Sequence, residues 1–171
     1  MIPTEEQAKM LWDKYQLPQK KRTHTMLVAK QAVFFAKKIP NVNIPLLRAA
    51  ALLHDIDKAV AKKPGEQHPD TAVRILKEEG MPEVASVVAT HSLHAILDSR
   101  IAPKTWEEKL LYLSDKMVKY EIITVDKRFA LWRAEALPIE AIAILDKTYP
   151  KVKELEKEVA KLVQVGYTQN I

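Results

Sequence analysis

The sequence predicts an all-α protein, a compact single-domain bundle of seven or eight helices. Apolar residues recur three and four positions apart along most of the chain, as amphipathic helices require. There are only three glycines in 171 residues, and the Val/Ile/Thr alternation that marks strands is nearly absent. The length suits one domain able to bury a proper core. We expect that domain to span residues 1–171, with its central part at about 20–130 and the first and last helices packed on it.

Thr4-Glu5-Glu6-Gln7 has the form of a capping box, and Ala8, Leu11, Trp12 and Tyr15 follow on one face. A first helix ending near Pro18 results, packed on the core as a lid. The second runs from about Gln19 to Lys38, stopped by Pro40, with His24, Val28, Gln31/Ala32 and Phe35 aligned. Asn43 is an N-cap and Pro45 fits a first turn, so the third helix extends from about Ile44 to Lys62. On a 3.6-residue period Leu47, Ala50/Ala51, His54 and Lys58 share a face of it. Asp55 projects ~100° away from His54, so a cation lying between the two directions is within reach of both.

Lys62 to Gln67 reads as a loop, and His68-Pro69-Asp70 opens a helix through Ala72, Val73 and Leu76 to Gly80. Met81-Pro82-Glu83 begins the next, with Val84, Val87, Val88, His91 and Ala95 in line. After a break from Ser99 to Pro103, Thr105 caps a helix carrying a stripe of Leu111, Asp115 and Val118. Asp126 to Ala136 looks helical, and Pro138 opens a long final helix to about Val163. No internal repeat, linker or low-complexity tract interrupts this order.

Hydrophobic residues make up 47% of the chain and charged residues 29%, which suits a soluble globular protein. With no cysteine, disulfides, iron–sulfur ligation and thiolate zinc sites are excluded, and any metal must be held by His, Asp or Glu. The net charge of +5 would attract polyanions. The basic residues are nevertheless spread along the chain without an aromatic-interleaved stripe, which reads as a solvated surface and argues against nucleic acid. The first residues show no basic segment followed by an apolar core, and no run approaches a membrane span. A cytoplasmic protein with no membrane partner is the expectation.

All five histidines fall between residues 24 and 94. His24 and His91 align with apolar residues, and Asp115 is a carboxylate within an apolar stripe, costly to bury without a positive partner. Taken singly, each histidine is more simply a hydrogen-bonded core residue, or for His68 a helix-capping one. Together they put two imidazoles, an adjacent His-Asp pair and a distant Asp on four helices, the way bundles build metal sites.

The order His24, His54-Asp55, Asp115 resembles the signature of the HD superfamily of metal-dependent phosphohydrolases. Ala51-Leu52-Leu53-His54-Asp55-Ile56-Asp57-Lys58 is similar to its central motif, with Asp57 where a glycine more often precedes the lysine. Leu113-Ser114-Asp115-Lys116 is similar to its last motif. His68-Pro69 and Ala89-Thr90-His91-Ser92 match the extra histidines of a dinuclear subset, which includes enzymes resembling the bacterial symmetrical diadenosine tetraphosphate hydrolases. Two positions depart from those hydrolases: Ser92-Leu93-His94 stands for their Thr-x-Gly, and Val118 for a glutamate after the final Asp.

The resemblance implies an HD-like domain and a first metal held by His24, His54, Asp55 and Asp115. It implies a second on His68 and His91, with Asp55 bridging. Imidazole and carboxylate ligands suit a divalent transition metal, two per chain, Fe or Mn ahead of Co, Ni or Zn. The implied activity is hydrolysis of a nucleotide or other small phosphate ester or anhydride by a metal-activated hydroxide. Asp55 and Lys58 are the residues assigned to catalysis, Lys58 meeting a phosphate oxygen. Arg128 is a second candidate for that contact, and His94 for a proton donor or substrate contact. The alternatives are a mononuclear nucleotidase in which His68 is no ligand, and a regulatory or nucleic-acid-binding protein with a structural metal. The oligomeric state is left open.

Overall fold

Ala49-Ala50-Ala51-Leu52-Leu53 carries no polar face, and a helix apolar all round belongs inside. α3 (Ile44–Leu53) is accordingly the buried centre of the fold, its Asn43 side chain accepting the Leu46 amide as N-cap. The computed structural model describes residues 1–168 of the chain. Around α3 pack α1 (Glu5–Lys14), α2 (Gln19–Ala36), α5 (Pro82–Val88) and α6 (Trp106–Asp115). α4 (Asp70–Glu78) lies against α5, and α7 (Val125–Arg133) against α8 (Ile139–Thr168). A short 3-10 turn, Leu93–Leu97, also rests on α8.

The architecture is all-α, with eight α-helices among the described residues and one isolated bridge between Val118 and Ile122 outside them. No described helix is long and apolar enough to cross a membrane. The capping boxes at Thr4/Gln7 and Thr105/Glu108 start α1 and α6. α1 ends at Lys14, earlier than Pro18 suggested, because Gln16 turns the backbone into the left-handed region at φ 53°. Its buried Trp12 donates an indole N–H to the Leu52 carbonyl at 2.8 Å, which ties α1 to the centre.

Of the helices that stop sooner than periodicity predicts, α3, α5 and α6 bear on the site. α3 ends at Leu53, not Lys62, and the chain continues in tight turns: Ile56 N–H to Leu53 O, Lys58 N–H to Asp55 O and Val60 N–H to Asp57 O. The physical reason is a competing donor. The His54 ring bonds the Ala51 carbonyl, an acceptor the next helical amide would have used. α5 ends at Val88 for the same reason, His91 bonding the Val88 carbonyl, so His91 and Ala95 do not lie on that helix. α6 ends at Asp115, and Val118 belongs to the following turn.

Candidate metal centre

The two histidines that end α3 and α5 are oriented alike. His54 Nδ1 donates to Ala51 O at 2.8 Å and His91 Nδ1 to Val88 O at 2.6 Å. A carbonyl only accepts, so each neutral ring carries its hydrogen on Nδ1 and presents Nε2 as a lone pair. His68, in the loop before α4, is fixed likewise: its Nδ1 meets both oxygens of Asp57, at 2.9 and 3.1 Å. His68 Nε2 then stands 2.9 Å from His91 Nε2. Two lone pairs at that separation repel unless positive charge lies between them. His54 Nε2 is buried with no hydrogen-bond partner, 3.5 Å from Asp115 Oδ1 and 3.9 Å from Asp55 Oδ2. An orphaned buried nitrogen facing two carboxylates is costly as it stands and satisfied by a cation. The donor set therefore fits a divalent metal.

The carboxylates are spaced to share such charge. Asp115, the last residue of α6, reaches His24 Nε2 of α2 at 3.0 Å through Oδ1 and accepts from Lys116 Nζ at 2.9 Å through Oδ2. The buried Lys116 ammonium also donates to the His91 carbonyl, tying α6 to the end of α5. Asp55 lies between the two histidine groups, its Oδ2 accepting from Lys21 at 2.9 Å and its Oδ1 3.7 Å from His68 Nε2. Among the described residues, three overlapping trios bring one donor atom each within 4.8 Å: His24/His54/Asp115, His54/Asp55/His91 and Asp55/Asp57/His68. α3, α5 and α6 all point C-terminal ends here, and the partial negative charge of those ends favours a cation.

Protonation follows the same logic. Burial pushes the Asp55 carboxyl up, but His54 and Lys58 outweigh it and hold it below the ordinary carboxylate range. Burial likewise opposes ionisation of Asp115, and Lys116 with His24 prevails, holding it well down. For His91, burial and then the charges of His54 and His68 push the imidazole well below its usual value. Burial also pushes His54 down, yet Asp55 and Asp115 win and raise it.

The six residues singled out as ligands in the sequence, His24, His54, Asp55, His68, His91 and Asp115, come together. Five of them line one cavity of about 520 Å³, and His54 sits beneath it at 1% exposure. Lys58 lines the cavity too, although it does not stack one helical turn beyond His54. The tight turns bring its Nζ 3.4 Å from Asp55 Oδ1 instead. His94 and Arg128 are also in the wall, His94 exposed at the rim.

Sequence reasoning missed Asp57 and Lys21. The signal for Asp57 was present, a carboxylate where the motif more often has glycine; for Lys21 it was the spacing to His24, one turn away. Carboxylate partners of histidine ligands fix the ring and raise its basicity, and losing one typically costs 10–100-fold in metal affinity. Asp57→Ala should therefore weaken metal binding by about that factor in a calorimetric titration with divalent manganese. Asp57→Asn, which keeps an acceptor, should fall between. An isotherm for Asp57→Ala that overlays the wild type would show Asp57 to be a bystander.

A family model described as the HD domain matches residues 22–144, more than two thirds of the chain. The matched span contains His24, His54, Asp55, His68, His91 and Asp115. No curated protein and no solved structure matches the chain.

Proposed function

The chain belongs to the HD domain family, whose members are generally metal-dependent hydrolases, and from that premise we propose that it is a phosphohydrolase acting on a nucleotide or another small phosphate ester or anhydride. His24, His54, Asp55 and Asp115 would hold one divalent ion, His68 and His91 a second, and Asp55 would serve both. When bound, such ions supply Lewis-acid activation of water and neutralise charge on the phosphoryl oxygens. Asp57 holds His68, and the Ala51 and Val88 carbonyls hold His54 and His91, so the donors are set before metal arrives. Fe or Mn suits this mixed imidazole and carboxylate set, with Co, Ni or Zn as alternatives.

The observation that carries the reading is a cation-demanding floor beneath a cationic rim. Lys20, Lys21, Lys58, Lys119 and Arg128 are scattered along the sequence, yet all line the cavity that holds the histidines. That arrangement suits a polyanion presented to metal. Lys21 and Lys58 flank Asp55 and would bind phosphoryl oxygens by charge-assisted hydrogen bonds.

Phosphate release from a panel of nucleotides, dinucleoside polyphosphates and sugar phosphates, each with Mn, Fe, Co, Ni and Zn, tests the proposal. Turnover of at least one class, abolished by chelator and restored by metal, is expected. Silence across the panel from metal-loaded protein would leave a binding or regulatory role.

A further inference from the structure

Arg128 on α7 lines the pocket with a guanidinium that the metal centre does not use. Its side chain is half-buried, and the Nε and Nη1 atoms are fully buried with no hydrogen-bond partner. No described carboxylate forms an ion pair with it. The two carboxylates that act on it through space are committed elsewhere: Asp115 bonds His24 and Lys116, and Glu135 bonds Lys119. The guanidinium lies over the Trp132 ring, one turn along α7, at 4.0 Å from its centroid. That cation–π contact orients the fork without satisfying its in-plane N–H groups. Both residues line the cavity that contains His24, Asp55 and Asp115.

A guanidinium with two buried, unpartnered donors costs stability unless an anion meets it. Planar N–H pairs match a phosphate or carboxylate edge bidentately. The group undergoing hydrolysis already has Lys21 and Lys58 beside Asp55, on the other elements of the site. We propose that Arg128, held against Trp132, is the receptor for a second anionic group of the substrate, so that the substrate class is one bearing at least two phosphoryl groups. This rests on the phosphohydrolase reading above and narrows it. The Arg128 fork would fix the non-reacting phosphoryl group, and binding energy spent there would orient the reacting one.

Two non-hydrolysable probes test the proposal by calorimetry on the full, manganese-loaded chain: methylphosphonate and methylenediphosphonate. The wild type should prefer the diphosphonate by about 10–100-fold, the worth of a desolvated charge-assisted pair. Arg128→Met should reduce that preference to within about threefold, and Arg128→Lys, lacking the planar fork, should recover only part of it. Thermal melting of the ligand-free protein separates this role from a structural one. Removing an unpaired buried charge should leave the Tm of Arg128→Met equal to or above the wild type. An unchanged diphosphonate preference in Arg128→Met, or a clearly lowered Tm, overturns the proposal. An Arg128-dependent preference in a protein that hydrolyses nothing would sustain the anion subsite and remove the hydrolase reading. A wild type that binds both probes equally would remove the anion subsite, whatever phosphate release the protein shows.

Discussion

Asp55→Ala will abolish phosphate release, a loss of ~1000-fold or more in kcat/KM, equivalent to about 4 kcal/mol of transition-state stabilisation. The size follows from position. Asp55 stands between both histidine groups, 3.9 Å from His54 Nε2 through one oxygen and 3.7 Å from His68 Nε2 through the other. Removing it takes a ligand from both proposed metals at once and leaves Lys21 without its carboxylate partner. Lys58→Ala is the informative contrast. Lys58 contributes one charge-assisted contact, about 1.5–3 kcal/mol, and its loss should appear chiefly in KM as a ~10–100-fold rise. Equal losses in kcat for the two variants would mean that Lys58 acts in the chemical step; full activity in Asp55→Ala would remove the metal mechanism.

Metal will stabilise the fold. An ion that binds only the native state contributes about 2.7 kcal/mol at a hundredfold excess over its Kd. For a chain of this size that corresponds to a rise in Tm of roughly 5–10 °C. The site strengthens the expectation, because the donors are costly to hold together empty: a buried Nε2 on His54 and two opposed Nε2 atoms 2.9 Å apart. Differential scanning calorimetry with chelator and then with each of Mn, Fe, Co, Ni and Zn checks this. A melting curve unmoved by all five metals would mean that the cluster binds no ion.

The sequence disclosed the parts of this site governed by helical periodicity and motif order. His24 aligns with Val28 and Phe35 on α2, and Asp115 with Leu111 on α6, so helical periodicity alone turns both inward. The ends of α3 and α5 were illegible. A histidine that bonds the carbonyl three residues back terminates a helix by side-chain competition, and hydrophobic spacing carries no trace of it. That competition moved His91 off its helix and drew Lys58 to Asp55. The Asp57–His68 bond depends on the path of an intervening loop, which periodicity does not describe. Arg128 and Trp132 were four apart in plain view. What was hidden is that no described carboxylate pairs with Arg128, a fact about how the other helices pack.

The gathering of the lysines is a similar case. They are spread evenly enough along the sequence to read as solvated helix faces, and most of them are. Lys20 and Lys21 begin α2, Lys58 follows α3, and Lys119 follows α6; only the convergence of those helix ends at one cavity makes a cationic rim of them.

The central claim is that two divalent ions are held by His24, His54, Asp55, His68, His91 and Asp115. Anomalous scattering from crystals of manganese-loaded protein tests it most directly, with the His68→Ala variant measured alongside. Two peaks are predicted in the wild type, one beside His24, His54 and Asp115 and one beside His68 and His91, with Asp55 next to both. His68→Ala should retain the first alone. A single wild-type peak unaffected by His68→Ala, or none in this cavity, would contradict the account.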